Sequence, residues 1–305
     1  MAAHDNIEIR INSVHKSYKS TVALDAISFE VGKGELFGLI GPDGAGKSTL
    51  FRIMTSLLIP DAGTVNVCGL DTVKEYRSLR KIIGYMPGDF SLYPDLTVEE
   101  NLQFFASIFN TTIAANYHLV EEIYVQLEPF KKRRASKLSG GMKQKLALCC
   151  ALIHEPEVLF LDEPTTGVDA VSRDEFWDML GRLIARDISI VVSTPYMDEA
   201  SRCQRVALMD KGRILSINTP QAISKSYDQP LFAVRTGDMY ILPTDLRRLS
   251  VCARAERFGE YVHLTLTRRI EAKAIAAELN SLGHSDIVVK PVDATVEDVF
   301  LDLIT

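Results

Sequence analysis

Gly41, Pro42, Asp43, Gly44, Ala45, Gly46, Lys47 and Ser48 stand between the apolar run Leu36, Phe37, Gly38, Leu39, Ile40 and a segment carrying Leu50, Ile53, Met54, Leu57 and Leu58 at helical spacing. A glycine, four residues, a second glycine, a lysine and a hydroxyl, set between a buried strand and a helix, leave few folds open. The glycines let backbone N–H groups crowd round an anion at a helix N-terminus, where the dipole favours negative charge. Lys47 is placed to reach β and γ phosphates, and the Ser48 hydroxyl to bind Mg²⁺. The pattern predicts a parallel α/β nucleotide-binding core. The plain alternative, a glycine-rich turn that binds nothing, gives Lys47 and Ser48 no role.

A chain of 305 residues has room for two domains. The expected division is residues 1–222, with a helical subdomain at about 93–140, and residues 223–305. Cys68, Cys149, Cys150, Cys203 and Cys252 form an odd set without metal-ligand spacing, which points to reduced thiols. The N-terminus Met1–Arg10 has no apolar stretch behind a basic start, and no apolar run approaches a membrane span, so the chain is expected to be neither exported nor itself membrane-embedded. A formal charge of -6 argues against a nucleic-acid surface.

Ile7, Ile9 and Ile11 predict a first strand, and Leu24, Ile27, Phe29 and Val31 a second ending at Gly32. Tyr18 falls in the loop between them, where a ring could stack on a base or simply be exposed. Thr64–Cys68 and Lys81–Tyr85 read as further strands. Thr97 and Glu100 form a capping box for a helix whose Leu102, Phe105, Ala106 and Phe109 either pack internally or line a groove for a partner helix. Lys131–Arg134 reads as a solvated face. Leu138, Ser139, Gly140, Gly141, Met142, Lys143 and Gln144 open another helix with bare glycine amides and a hydroxyl, a second anion site. Two phosphate sites in one chain suggest two chains per nucleotide. The buried strand Val158–Leu161 ends in Asp162 and Glu163, at the edge where α/β sheets place ligands.

Taken together, the phosphate loop, Leu138–Gln144, Asp162 with Glu163, and Gly167–Val168–Asp169 resemble the ATP-binding subunit of ATP-binding cassette (ABC) transporters of the multidrug-export type. The resemblance runs from Ile7 to about Pro220. It implies an α/β P-loop NTPase cassette: a mixed sheet core, an antiparallel β subdomain and a helical subdomain, followed here by a small C-terminal α+β domain. It further implies a head-to-tail pair of cassettes, homodimeric or heterodimeric, clamping ATP and Mg²⁺ and driving a separate transmembrane permease from the cytoplasmic face. By this resemblance Tyr18 stacks on the base and Gly41, Pro42, Asp43, Gly44, Ala45, Gly46, Lys47, Ser48 and Thr49 hold the phosphates. Ser48 and Asp162 hold the metal, and Glu163 is the general base. Ser139, Gly140, Gly141 and Gln144 face the partner's nucleotide, and Asp169 lies at the seam.

Two positions depart from the family pattern. Gly88 stands where the family usually has a glutamine touching the metal and the attacking water, and Pro195 where it usually has a histidine touching the γ-phosphate. The expectation is a site that binds ATP but turns it over slowly, unless Asp89, Thr194 or Tyr196 supplies the lost group. A soluble cassette acting on ribosomes or DNA, or a structural cassette partner, are the competing readings. Beyond Pro220, Leu231–Thr236, Met239–Leu242, Tyr261–Thr267 and Asp286–Pro291 read as strands, and Thr244–Leu249, Glu271–Leu282 and Thr295–Leu303 as helices. Ala294–Phe300 resembles the C-terminal extension of export cassettes. No catalytic cluster is evident there.

Overall fold

The computed structural model describes residues 7–89 and 91–304. Residues 1–6, Phe90 and Thr305 lie outside it, with the parts of the N-terminal reading and of the Tyr85–Phe90 run that fall on them. The chain runs β1 (Ile7–Tyr18), β2 (Thr21–Gly32), β3 (Leu36–Ile40), α1 (Lys47–Met54), β4 (Ala62–Val67), β5 (Leu70–Asp71), α2 (Tyr76–Ile82) and β6 (Ile83–Met86). Then come α3 (Val98–Ile108), α4 (Tyr117–Tyr124), α5 (Gly140–Leu152), β7 (Val158–Asp162), α6 (Ala170–Ile184), β8 (Ser189–Thr194), β9 (Arg205–Asp210) and β10 (Arg213–Asn218). Contacts divide the described residues into two units between Pro220 and Gln221, within α7 (Pro220–Lys225).

In the first unit a six-stranded sheet has the order β10-β9-β3-β8-β7-β6. All pairs are parallel except β10 with β9. Strands β3, β7 and β8 are buried along their whole length, as the apolar runs of doubly covered parallel strands require. A second, antiparallel sheet has the order β2-β1-β4-β5. Ile9, Ile11, Phe29, Phe37, Leu50, Phe51, Ile53 and Phe160 join both sheets and α1 in one core. The chain therefore has the mixed sheet and antiparallel sheet of the resemblance. The capping box at Thr97 is present: its hydroxyl accepts from the Glu100 N–H and the Glu100 carboxylate from the Thr97 N–H.

Three sequence expectations need correction in local detail. Helix α1 ends at Met54 rather than running through Leu58: Ser56 takes a left-handed φ of +60°, and Leu57 is exposed. Tyr18 is the last residue of β1, paired with Thr21, and not a loop residue. Met239–Ile241 is a turn and Leu242 opens a helix, because the Asp238 carboxylate accepts from the Tyr240 and Ile241 N–H groups and stops an extended strand.

The second unit contains β11 (Leu231–Arg235), α8 (Leu242–Arg248), β12 (Cys252–Phe258), β13 (Tyr261–Leu266), α9 (Ala272–Ser281), β14 (Val288–Pro291) and α10 (Val296–Leu303). Its sheet, order β12-β13-β11-β14, is antiparallel throughout, so β11 to β14 form a split β-α-β arrangement. Strand β12 was not foreseen, since Arg254, Glu256 and Arg257 hide its alternation.

Helix α10 opens with a capping box, Thr295 with Asp298, and Asp298 also bonds His263 Nδ1 at 2.8 Å. Burial pushes the Asp298 carboxyl up, but the His263 bond and the Thr295 N–H and hydroxyl outweigh it and hold it below the ordinary value of 3.8. A depressed carboxyl stabilises the fold above its unfolded pKa, and that stabilisation is lost as pH falls through the folded value. Asp298→Asn is therefore expected to lower the melting temperature at neutral pH. It is also expected to flatten the fall in stability below pH about 4, as thermal unfolding across a pH series would show.

Candidate functional site

Four loops follow the carboxyl ends of the neighbouring parallel strands β3, β8, β7 and β6, where an α/β sheet opens its binding crevice. The loop after β3 is residues 41–46. The Gly41 N–H donates to the Thr194 carbonyl at 3.3 Å, and the Ala45 N–H to Pro42 O at 3.1 Å, which closes the loop. At Gly41 the backbone passes so close to β9 that a Cβ would lie 2.1 Å from Met209 O. Lys47 opens α1 with only 3% of its surface exposed. Its ammonium donates to Gly41 O at 2.8 Å and Pro42 O at 3.1 Å, and pairs with Glu163 Oε1 at 3.3 Å. The cation is thus fixed at the loop's centre.

Asp162 ends β7, buried, with Oδ1 accepting from Ser48 Oγ at 3.2 Å and Ser193 Oγ at 2.5 Å. A hydroxyl and a carboxylate oxygen at this separation are the hard oxygen donors Mg²⁺ takes. Glu163 follows with a left-handed φ of +51°, a sparsely populated backbone state for a residue with a Cβ. Its N–H donates to both Ser193 O and Ser193 Oγ, at 3.1 and 3.0 Å, which holds the reversal in place and brings the carboxylate to Lys47. Tyr85, on β6, is pushed up to about 12 by burial and then by the charge of Asp162, so it stays a neutral phenol.

Gly88 lies against this pair: a Cβ there would stand 3.2 Å from Asp162 O and 3.8 Å from the Glu163 Cβ. The position thus borders the two carboxylates and brings no side chain. On the other side, Thr194 cannot stand in for the group absent at Pro195. It is fully buried, its hydroxyl proton is given to Glu199 Oε2 at 2.5 Å, and its oxygen accepts from the Tyr196 N–H. The Tyr196 ring is held 4.5 Å from the Arg173 guanidinium. Of these three neighbours, only Asp89 is exposed.

Ser139 is the N-cap of α5, accepting from the Met142 N–H at 3.3 Å. Ser139 and Gly140 are exposed, whereas Gly141 is buried against α6, where a Cβ would meet Ser172 Oγ at 2.7 Å. Gly140 and Gln144 share a cavity with Gly88, Asp89 and residues 166–168, and none of residues 41–49 lines it. Asp169 is exposed and caps α6, accepting from the Ser172 N–H at 3.0 Å, and that bond lowers its pKa. Tyr18 is 44% exposed, with Lys16 Nζ 6.0 Å from its ring. The structure thus gathers residues 41–48, Asp162, Glu163 and Gly88, while Ser139 is exposed and Gly140 lines with Gly88 a cavity that residues 41–49 do not reach. Ser193 and Glu199 were missed, because a serine in a buried apolar strand and an acid in a charged run carry no signal of their own.

A family model described as ABC transporter matches residues 24–166. A probable multidrug ABC transporter ATP-binding protein of Escherichia coli, YbhF, is 37% identical over 303 residues, 97% of this chain. The chain spans about half, 52%, of that relative's length. The Nod factor export ATP-binding protein I of Paraburkholderia xenovorans is 36% identical over 299 residues, covering 97% of this chain and 96% of the relative. Among solved structures, cbiO1 from Clostridium perfringens, part of the ABC transporter complex cbiONQ, matches 72% of this chain and 91% of its own. That match has a TM-score of 0.64 at 26% identity. A dimeric ATP-binding cassette in a post-hydrolysis state bound to ADP and Pi matches 69% and 98% of the two chains, at TM-score 0.63 and 25% identity.

Proposed function

Because the chain belongs to the ABC transporter family, we propose that it is the ATP-binding and ATP-hydrolysing subunit of an exporter, acting with a second cassette and a separate membrane-spanning partner. The observation that carries this reading is the buried Lys47 ammonium fixed inside the glycine loop, 3.3 Å from Glu163, beside a Ser48 hydroxyl 3.2 Å from Asp162. Ser48 and Asp162 would hold Mg²⁺, whose charge would offset that of the phosphates. Lys47 and the loop amides bind phosphate, Tyr18 offers a ring face to the base, and Glu163 accepts a proton from the attacking water. Ser139, Gly140, Gly141 and Gln144 complete the partner cassette's site, with Asp169 at the seam.

Export is supported by the multidrug and Nod factor export names of the relatives. No helix among the described residues is long and apolar enough to cross a membrane, which fits a membrane-spanning partner on another chain and a place at the cytoplasmic face. Phe105 and Phe109, which the sequence leaves between packing and a groove, line a cavity of about 230 Å³ with Leu57, Tyr85, Leu92 and His154. That cavity suits a partner segment with an apolar face. We further propose that residues 1–222 form the cassette and 223–305 an accessory domain.

Calorimetric titration with ATP, with and without Mg²⁺, combined with affinity purification from detergent-solubilised membranes, tests the reading. Micromolar ATP binding and a co-purifying multi-span protein are expected. Failure to bind ATP at millimolar concentration, or ribosomes or DNA as the co-purifying partner, would overturn it.

A further inference from the structure

Glu199 lies on the short helix Met197–Arg202 after β8, and is 3% exposed. A buried carboxylate is costly to desolvate unless donors satisfy it. Here three side chains donate to it. Thr165 Oγ1 reaches Oε1 at 2.8 Å, Thr194 Oγ1 reaches Oε2 at 2.5 Å, and Arg173 reaches Oε1 through Nε at 3.2 Å and Nη2 at 3.1 Å. Each donor belongs to a different functional segment. Thr165 follows Glu163 by two residues. The Thr194 carbonyl accepts from Gly41 at the head of the phosphate loop. Arg173 sits in the first turn of α6, which Asp169 caps and whose Ser172 abuts Gly141.

One carboxylate therefore ties the phosphate loop, the general-base segment and the helix packed behind Gly141, without itself lying in the phosphate loop. Two of these donors also hold the Pro195 turn. The Tyr196 N–H is bound to Thr194, and Arg173 covers the Tyr196 ring. A segment lacking the family's histidine is thus kept rigid by main chain and by Glu199.

Building on the proposed ATPase activity, we infer that Glu199 is a positioning residue that holds Glu163 and residues 165–169 in register with the phosphate loop. A displacement of about 1 Å at a catalytic group can cost about 10²-fold in rate without touching substrate affinity. The test is Glu199→Gln in the full chain, with Glu199→Asp and Asp198→Ala alongside. Hydrogen exchange by mass spectrometry, the ATP Kd, and kcat with KM are measured for each.

Glu199→Gln keeps the shape and removes the charge and one acceptor. Exchange across 163–169 is expected to quicken at least about 10-fold and kcat to fall about 10- to 100-fold, with Kd and KM within about threefold. Glu199→Asp recovers part of the kcat loss. Asp198→Ala, which removes only the exposed partner of Arg173, changes neither. Should Glu199→Gln fail to fold, Thr165→Val cuts only its bond to Glu199 and carries the same expectation. Unchanged exchange across 163–169, or an even rise over the whole first unit, overturns the inference. A wild-type chain that binds no ATP overturns the ATPase reading alone, because the exchange experiment needs no nucleotide.

Discussion

The double substitution Gly88→Gln, Pro195→His is expected to raise ATP turnover by about 10²- to 10³-fold, the effect commonly seen for a transition-state donor. The geometry favours the first change. A Cβ at 88 would sit 3.2 Å from the Asp162 carbonyl, a contact that an exposed loop can relieve by shifting a few tenths of an ångström. The longer amide then starts 3.8 Å from the Glu163 Cβ. The second change gives back an N–H and a side-chain donor at a turn where Thr194 and Tyr196 are already committed. Phosphate release under saturating ATP reads kcat, and the ATP Kd should move by less than about threefold, because neither residue is part of the loop that binds phosphate. Unchanged kcat in the double variant, with ATP still bound, would mean that turnover is not limited by these two positions.

Gly41→Ala is expected to weaken ATP binding by at least about 10²-fold and to destabilise the first unit by about 1–3 kcal/mol. Its new methyl would lie 2.1 Å from Met209 O, a main-chain atom of β9, and that strand is held between β10 and β3, so the phosphate loop must move instead. Gly44→Ala is the control. Gly44 has φ +80° but open space at its Cβ, so the substitution strains one residue by about 1–2 kcal/mol and leaves the loop's position unchanged. Titration calorimetry and thermal unfolding of the two variants separate displacement from strain. Equal losses of affinity in both would remove the packing argument.

What the sequence discloses about this chain follows from how local each signal is. Residues 41–48 and the Asp162–Glu163 pair were legible because each is a short run with one chemical purpose beside an apolar strand. The capping box at Thr97 was legible for the same reason. Ser193 was not, because its role depends on β8 lying beside β7, which brings one hydroxyl to both carboxylate residues. Glu199 stayed hidden among Asp198, Arg202 and their neighbours, since only the tertiary fold tells a buried acid from a solvated one. The split β-α-β order of the second unit likewise rests on β12, whose charged residues mask its period.

The glycines at 41 and 141 have different walls, and this bears on which lesions a second mutation can repair. At 41 the obstacle is a carbonyl oxygen, present whatever residue occupies 209, so no side-chain change opposite it can make room. At 141 the obstacle is the Ser172 hydroxyl and its Cβ, at 2.7 and 2.8 Å, both of which Ser172→Gly deletes while keeping the N–H that binds Asp169. A search for intragenic suppressors of Gly141→Ala should therefore return changes at 172, and the same search begun from Gly41→Ala should return true revertants.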